Sequence, residues 1–183
     1  MRRLVFAVAL VVVGCGSPPA EETVTSDETE AVDEALTTFS SYQVHNLHVI
    51  NTYRARKHLV ALTLGPKITT FAKAGSKELS VDHQPHQHFI HAIDSGTLWT
   101  SGFAHSAGEN QGDPHGWPVL SADAATNKTM QIDAIQKMMF DEGPGAGEAH
   151  GHYENMMNPK FRRVGVGFFT VNGHLYLTND FSE

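Results

Sequence analysis

GHYENMMNPKFRRVGVG, at residues 151–167, joins a histidine-containing block to the most strand-like segment of the chain. Residues 164–171 are rich in β-branched and aromatic side chains, which favour strands. Asn172-Gly173 follows, and this dipeptide is the favoured sequence for a two-residue hairpin turn. Residues 174–178 are again strand-like. The stretch therefore predicts an antiparallel β-hairpin over 164–178.

Three segments before the hairpin have helical features. Apolar residues recur every three positions over about 44–59. Pro66 stands where a second helix begins, a position at which its missing N–H costs nothing. A third helix is predicted over about 127–142, whereas residues 80–120, dense in His, Gly, Ser and Pro, are predicted to be mostly loop. Helices on both sides of a short antiparallel sheet suit this pattern, which makes the fold class α+β.

Glu142 falls on the same predicted helix face as three apolar side chains. A carboxylate on such a face either frays outward at the helix end or is held by a partner. The chain has twelve histidines, and two of them lie near acids in compact blocks, His105 before Glu109 and His152 in Gly-His-Tyr. Taken alone, each block is better explained by a structural histidine than by a metal ligand.

Taken together, several blocks resemble the CAP superfamily (SCP domain), which comprises cysteine-rich secretory proteins, antigen five and pathogenesis-related proteins. The matching blocks occur in the family's order and cover about residues 44–182. They are Asn51-Thr52-Tyr53-Arg54, His105-Ser106 with Gly108-Glu109-Asn110, the helix end Lys137–Glu142, Gly151-His152-Tyr153, Asn158–Gly167 and Asn179-Asp180-Phe181.

The resemblance implies a three-layer α-β-α sandwich with a short antiparallel central sheet. It also implies a cleft lined by His105, Glu109, Glu142 and His152, which in some members binds a divalent metal such as zinc. Imidazole nitrogens suit Zn²⁺, and the two Glu side chains would either bind the metal or orient the imidazoles. The competing interpretation is that the four groups only hydrogen-bond one another and hold the loops to the sheet.

The first histidine of this set has alternatives. Many bacterial members place it about twenty residues before Gly-Glu-Asn, and His86, His88 and His91 are candidates for that position. The run from His83 to His91 is also a candidate second metal site, although a solvated polar loop explains it more simply. After Gly-His-Tyr, Glu154-Asn155 replaces the family's common Thr-Gln.

The first forty residues predict export. Residues 1–14 have the charged start and short apolar run of a signal peptide, and Cys15 follows at once in Val-Val-Gly-Cys, which resembles a bacterial lipobox. Cys15 would be lipidated and would anchor the protein to a membrane through its acyl chains. Residues 15–40 would form a disordered acidic tether, and residues 41–183 the CAP domain. Cys15 is the only cysteine of the chain, so no intrachain disulfide is possible.

The charge of the domain excludes two classes of partner. The formal net charge is −7, but seven of the twenty acidic residues lie in the segment 15–40. From residue 41 onward thirteen acids oppose eleven bases, a net charge of −2. The domain therefore has neither the basic surface of a nucleic-acid-binding protein nor a polybasic patch for anionic lipids.

The sequence leaves three functions open. The first is a binding module at the cell envelope or outside the cell, whose cleft takes a divalent metal, a small apolar molecule, a lipid or a glycan. The second is a hydrolase, peptidase-like, that uses His105, Glu109, Glu142 and His152 for acid–base or metal-assisted chemistry. The third is an envelope interaction protein in which these four residues are purely structural. Catalysis itself is left undecided.

Overall fold

The computed structural model describes residues 39–183. The predicted signal peptide, Cys15 and the tether up to residue 38 lie outside the described residues. Within residues 39–183, no helix is both long and apolar enough to cross a lipid bilayer.

Five α-helices and four strands make up the described fold. The helices are α1 (Ser41–Ala55), α2 (Pro66–Asp82), α3 (Gln87–Asp94), α4 (Ala124–Asp141) and α5 (Gly151–Met157). The strands are β1 (Thr63–Leu64), β2 (Ala107–Gly112), β3 (Arg163–Val171) and β4 (His174–Ser182). Short 3₁₀ helices occur at Thr97–Ser101 and Glu148–His150.

The sheet has the order β1-β3-β4-β2, so that β2 is a terminal strand. β4 pairs antiparallel with both β3 and β2, while the two-residue β1 pairs parallel with β3. The predicted hairpin is present, and its turn residues Asn172 and Gly173 have φ of 49° and 80°. Positive φ at both central positions is the requirement of the type I′ turn that Asn-Gly favours.

Helix α2 lies against one face of the sheet because β3 has glycines where the two elements meet. A Cβ added at Gly165 would lie 2.3 Å from the carbonyl carbon of Ile68, and one at Gly167 would lie 2.1 Å from the carbonyl oxygen of Ala72. Neither distance leaves room for a side chain, so the glycines set the separation between helix and sheet.

The opposite face of β3 carries the larger hydrophobic core. Val164 and Val166, which alternate with the two glycines along the strand, are fully buried there. They share a cluster with Ile50 of α1, Ile132 of α4 and Met156 of α5. Helices therefore cover both faces of the sheet, and the predicted three-layer α-β-α sandwich is confirmed.

The prediction of loop over 80–120 was wrong in part. This segment contains α3, a 3₁₀ helix and β2. Phe89 and Leu98 from it join Ile68 and Phe71 of α2 in a second hydrophobic cluster on the α2 side of the sheet. The three helices predicted over 44–59, from Pro66 onward and over 127–142 are present as α1, α2 and α4.

Candidate functional site

Glu142 and His152 form a pair between α4 and α5, in which the imidazole is buried and the carboxylate is partly exposed. Glu142 is the C-cap residue of α4, and its Oε1 lies 2.5 Å from Nδ1 of His152. Its Oε2 accepts from the backbone N–H groups of His152 at 3.0 Å and Tyr153 at 3.3 Å. An ionised carboxylate only accepts hydrogen bonds, so the proton of the neutral imidazole belongs on Nδ1 and its Nε2 is an acceptor. The carboxylate on the apolar helix face thus has a partner.

A second pair joins Glu109 of β2 to His86, the residue before α3. Nδ1 of His86 lies 2.9 Å from Oε1 of Glu109, and both side chains are almost completely buried. The backbone N–H of His86 also donates to Oε1 of Gln111 at 2.7 Å. His105, the first choice from the sequence, is exposed in the loop before β2. The imidazole beside Glu109 therefore belongs to His86, one of the three alternatives.

The other histidines of the run 83–91 have separate surroundings. His88 lies 3.3 Å from Glu78, and its ring packs 4.4 Å from that of Phe71. His83 lies 3.1 Å from Asp113, and His91 is exposed. The run therefore does not converge on one point, and a common second metal site is not formed.

The Gly-Glu-Asn block ties β2 to α5, the helix that carries His152. The side chain of Asn110 donates to the carbonyl of His152 at 2.9 Å. Asn155 donates to the carbonyl of Glu109 at 3.0 Å and to Oδ1 of Asn110 at 2.9 Å. A Cβ at Gly108 would lie 2.6 Å from Oδ1 of Asn155, so this position must be glycine. Asn155 is one of the two residues that replace the family's Thr-Gln. It thus fixes the spacing between the His86–Glu109 pair and the His152–Glu142 pair.

The Asn51–Arg54 block anchors the other end of α5. Arg54 is fully buried and donates to the carbonyls of Val60, Met156, Asn158 and Phe161 at 2.7–3.3 Å. Burial, and secondarily the charge of Arg162, lowers the pKa of Arg54 to about 10. Asn51 exchanges two hydrogen bonds with the backbone of Leu62. The block is therefore structural.

Asp180 of β4 is a buried acid that sequence reasoning did not assign to the site. It is the cross-strand partner of Glu109. Burial, followed by the neighbouring charge of Glu109, raises the pKa of Asp180 well above its usual value. The available signal was an acid in the block Asn179-Asp180-Phe181, which resembles the family's final strand, because an acid buried in a strand requires a partner.

The two histidine–glutamate pairs approach β2 from different layers. Oε2 of Glu109 lies on the α2 side, 3.6 Å from where a Cβ at Gly75 would be. Asn110, the next residue, faces α5 and His152. Within residues 39–183, no group of three or more His, Cys, Asp or Glu side chains is arranged to hold a metal ion. The four-ligand arrangement is therefore not formed, and both carboxylates are engaged by imidazole Nδ1 atoms.

One atom at this site is consistent with a metal ligand. Nε2 of His152 is buried and, among the described residues, has no hydrogen-bond partner. An imidazole that is held at Nδ1 by a carboxylate and presents Nε2 has the usual arrangement of a zinc-binding histidine. The His152 imidazole thus fits a metal ligand, with Glu142 as its orienting group.

Two other features bear on the expected functions. Oγ of Ser106 is buried without a hydrogen-bond partner in the described part of the chain, so no base faces this hydroxyl. A pocket of about 320 Å³ lies between α1, the start of α4 and the β3–β4 hairpin. Neither histidine–glutamate pair contributes to its lining.

The fold and the sequence blocks together define the class of protein. The model of the CAP family, described as the cysteine-rich secretory protein family, matches residues 47–181. The chain belongs to this family. No curated protein matches the sequence.

Solved structures support the same fold. The venom allergen-like protein 4 of Schistosoma mansoni aligns with a TM-score of 0.54 at 14% identity, over 79% of this chain and 89% of its own. The CAP domain of enterococcal PrgA aligns with a TM-score of 0.53 at 14% identity, over 87% and 71%. NaASP2, crystallised with Zn²⁺, aligns with a TM-score of 0.52 at 13% identity, over 78% and 80%.

Proposed function

We propose that this CAP protein binds a divalent transition metal such as Zn²⁺ through Nε2 of His152, beside the terminal strand β2. Nε2 of His152 carries the proposal, because it is buried and unpaired while Nδ1 of the same ring is held by Glu142. A buried nitrogen acceptor without a donor is costly unless something binds it. Zn²⁺ coordinates neutral imidazole nitrogen and accepts water at its remaining positions.

Glu142 in this proposal orients the imidazole of His152. Glu142 holds the His152 ring through Nδ1 and simultaneously accepts two backbone N–H groups, so its position is fixed by three hydrogen bonds. Such carboxylate partners set the tautomer of a ligating histidine and raise its basicity. NaASP2, which shares the fold, has been crystallised with Zn²⁺.

Calorimetric titration of Zn²⁺ into the full-length protein tests the proposal. We expect His152→Ala to weaken binding at least about tenfold, and Glu142→Gln to weaken it about 10–100-fold. The matched control is His105→Ala, which removes an exposed imidazole and should leave the affinity unchanged. Absence of Zn²⁺ uptake by the wild type, or an equal loss in the His105 variant, would contradict a site at His152.

We also propose that the protein is exported and held at the cell envelope by acylation of Cys15. The support is the sequence of residues 1–15, in which a charged start and an apolar run lead directly to the lone cysteine. Two or more acyl chains give stable attachment to a bilayer. A small apolar, lipid or glycan ligand for the domain stays a prediction.

A further inference from the structure

Asp180 and Glu109 are neighbours on adjacent strands within the buried part of the sheet. The β2–β4 register places them directly opposite each other, so their Cβ atoms lie on the same face about 5 Å apart. On its other side, Asp180 is opposite Gly165 of β3, the residue against which α2 packs. Both acids are enclosed, with exposed fractions of 0% for Asp180 and 1% for Glu109.

If both acids are ionised, there are fewer hydrogen-bond donors around them than buried carboxylate oxygens. Oε1 of Glu109 accepts from His86, but Oε2 of Glu109 and both oxygens of Asp180 are buried without a donor in the described residues. Two carboxylates in this arrangement would repel each other, and three oxygens would lack hydrogen bonds. A single proton between the acids removes the repulsion and provides the missing donor.

The surroundings decide which acid carries the proton. Oε1 of Glu109 accepts the imidazole N–H of His86. Asp180 has no such donor and is completely buried, which favours its neutral form. The upward direction of the Asp180 pKa, caused by burial and then by Glu109, agrees with this assignment.

We propose that Asp180 is a positioning residue for the His86–Glu109 pair: as a neutral acid it donates its O–H to Oε2 of Glu109 and thereby keeps Oε1 of Glu109 on Nδ1 of His86. Asp180 then acts on His86 only through Glu109. Neither the protonation of Asp180 nor its effect on the His86 tautomer depends on the metal site proposed at His152.

The first experiment measures the proton directly. The infrared difference spectrum between the full-length wild type and Asp180→Asn, recorded near neutral pH, should show the C=O stretching band of a protonated carboxylic acid in the wild type only. This measurement requires no metal and compares two nearly isosteric side chains. A difference spectrum that contains only the bands of an ionised carboxylate would overturn the proposal.

The second experiment separates the donor function of Asp180 from its volume. Asp180→Asn retains an N–H donor for Glu109, whereas Asp180→Leu has a similar size and no donor. We expect ¹⁵N NMR to show the Nδ1–H tautomer of His86 in the wild type and in the Asn variant. In the folded Leu variant, with its fold checked by circular dichroism, we expect that tautomer preference to be lost.

A folded Leu variant that keeps the wild-type His86 tautomer defeats the positioning role of Asp180. A wild type that does not bind Zn²⁺ leaves this test unaffected, because the infrared and NMR measurements require no metal.

Discussion

Arg54 shows how a single buried side chain fixes the position of α5. Its guanidinium contacts four backbone carbonyls, three of which belong to residues between Met156 and Phe161. The planar group of an arginine presents several donors in fixed directions, and a lysine cannot reproduce them. The helix with His152 at its start is therefore held at its far end by α1.

We expect Arg54→Met to destabilise the protein by more than about 3 kcal/mol, because several buried carbonyls lose their donor at once. Urea unfolding of the full-length protein gives this difference. Arg56→Met is the matched control, since Arg56 is exposed and contacts only the face of Tyr53, an interaction of about 0.5–1 kcal/mol. Equal losses in the two variants would contradict an anchoring role for Arg54.

At the residue scale, the sequence identified three of the four paired side chains. Glu142 could be chosen because an acid on an apolar helix face requires a partner, whereas His152 was chosen through the resemblance of Gly-His-Tyr to the family's block. The choice between His105 and His86 could not be made, since the pairing of His86 with Glu109 spans 23 residues of chain. Asp180 was missed as a site residue because its importance depends on strand register.

At the scale of elements, β3 determines how closely α2 approaches the sheet. Gly167 lies so near Ala72 that an added methyl group would overlap the backbone of the helix. Backbone atoms of a helix cannot move aside individually, so α2 as a whole would have to shift. The hydrophobic cluster of Ile68, Phe71 and Phe89 would shift with it.

We expect Gly167→Ala to destabilise the protein by at least about 3 kcal/mol, because overpacked positions against backbone are poorly relieved. Gly116→Ala provides the control, since a Cβ there has no neighbour within 4 Å and costs only the strain of a φ of 79°. That strain is about 1–2 kcal/mol. Thermal or urea unfolding distinguishes the two, and a Gly167 variant as stable as the Gly116 variant would contradict the packing argument.

The elements missed by the sequence are those that depend on tertiary contacts. β2 has the sequence Ala-Gly-Glu-Asn-Gln-Gly, which lacks β-branched and aromatic residues, and all six positions are buried. Its side chains Asn110 and Gln111 are hydrogen-bonded to groups from α5, β4 and the His86 segment. None of these partners is local in sequence, whereas α2 and the hairpin carry their own periodicity and turn signals.

At the scale of the whole molecule, the three layers are held together without disulfides. Cys15 is the only cysteine, so buried polar side chains link the layers instead. Asn110 and Asn155 join β2 to α5, and Ser76 of α2 binds Thr178 of β4 at 2.9 Å. Each such bond joins groups that would be costly to bury unpaired.

Lipidation of Cys15 is testable on the full-length protein expressed in a bacterial host. A clickable fatty acid supplied during growth should label the wild type and leave Cys15→Ser unlabelled, because the chain has no second thiol. In-gel fluorescence at the size of the protein provides the measurement. Label on the Ser variant, or its absence from the wild type, would count against an acyl anchor.

The terminal position of β2 affects how copies of the protein behave toward one another. An exposed edge strand has unpaired backbone N–H and C=O groups, which can pair with a strand of another chain. Here the backbone N–H of His86 donates a hydrogen bond to the Gln111 side chain, and every residue of β2 is buried. The segment that pairs His86 with Glu109 therefore also shields the sheet from self-association, so a substitution that loosened this segment would favour aggregation of the protein.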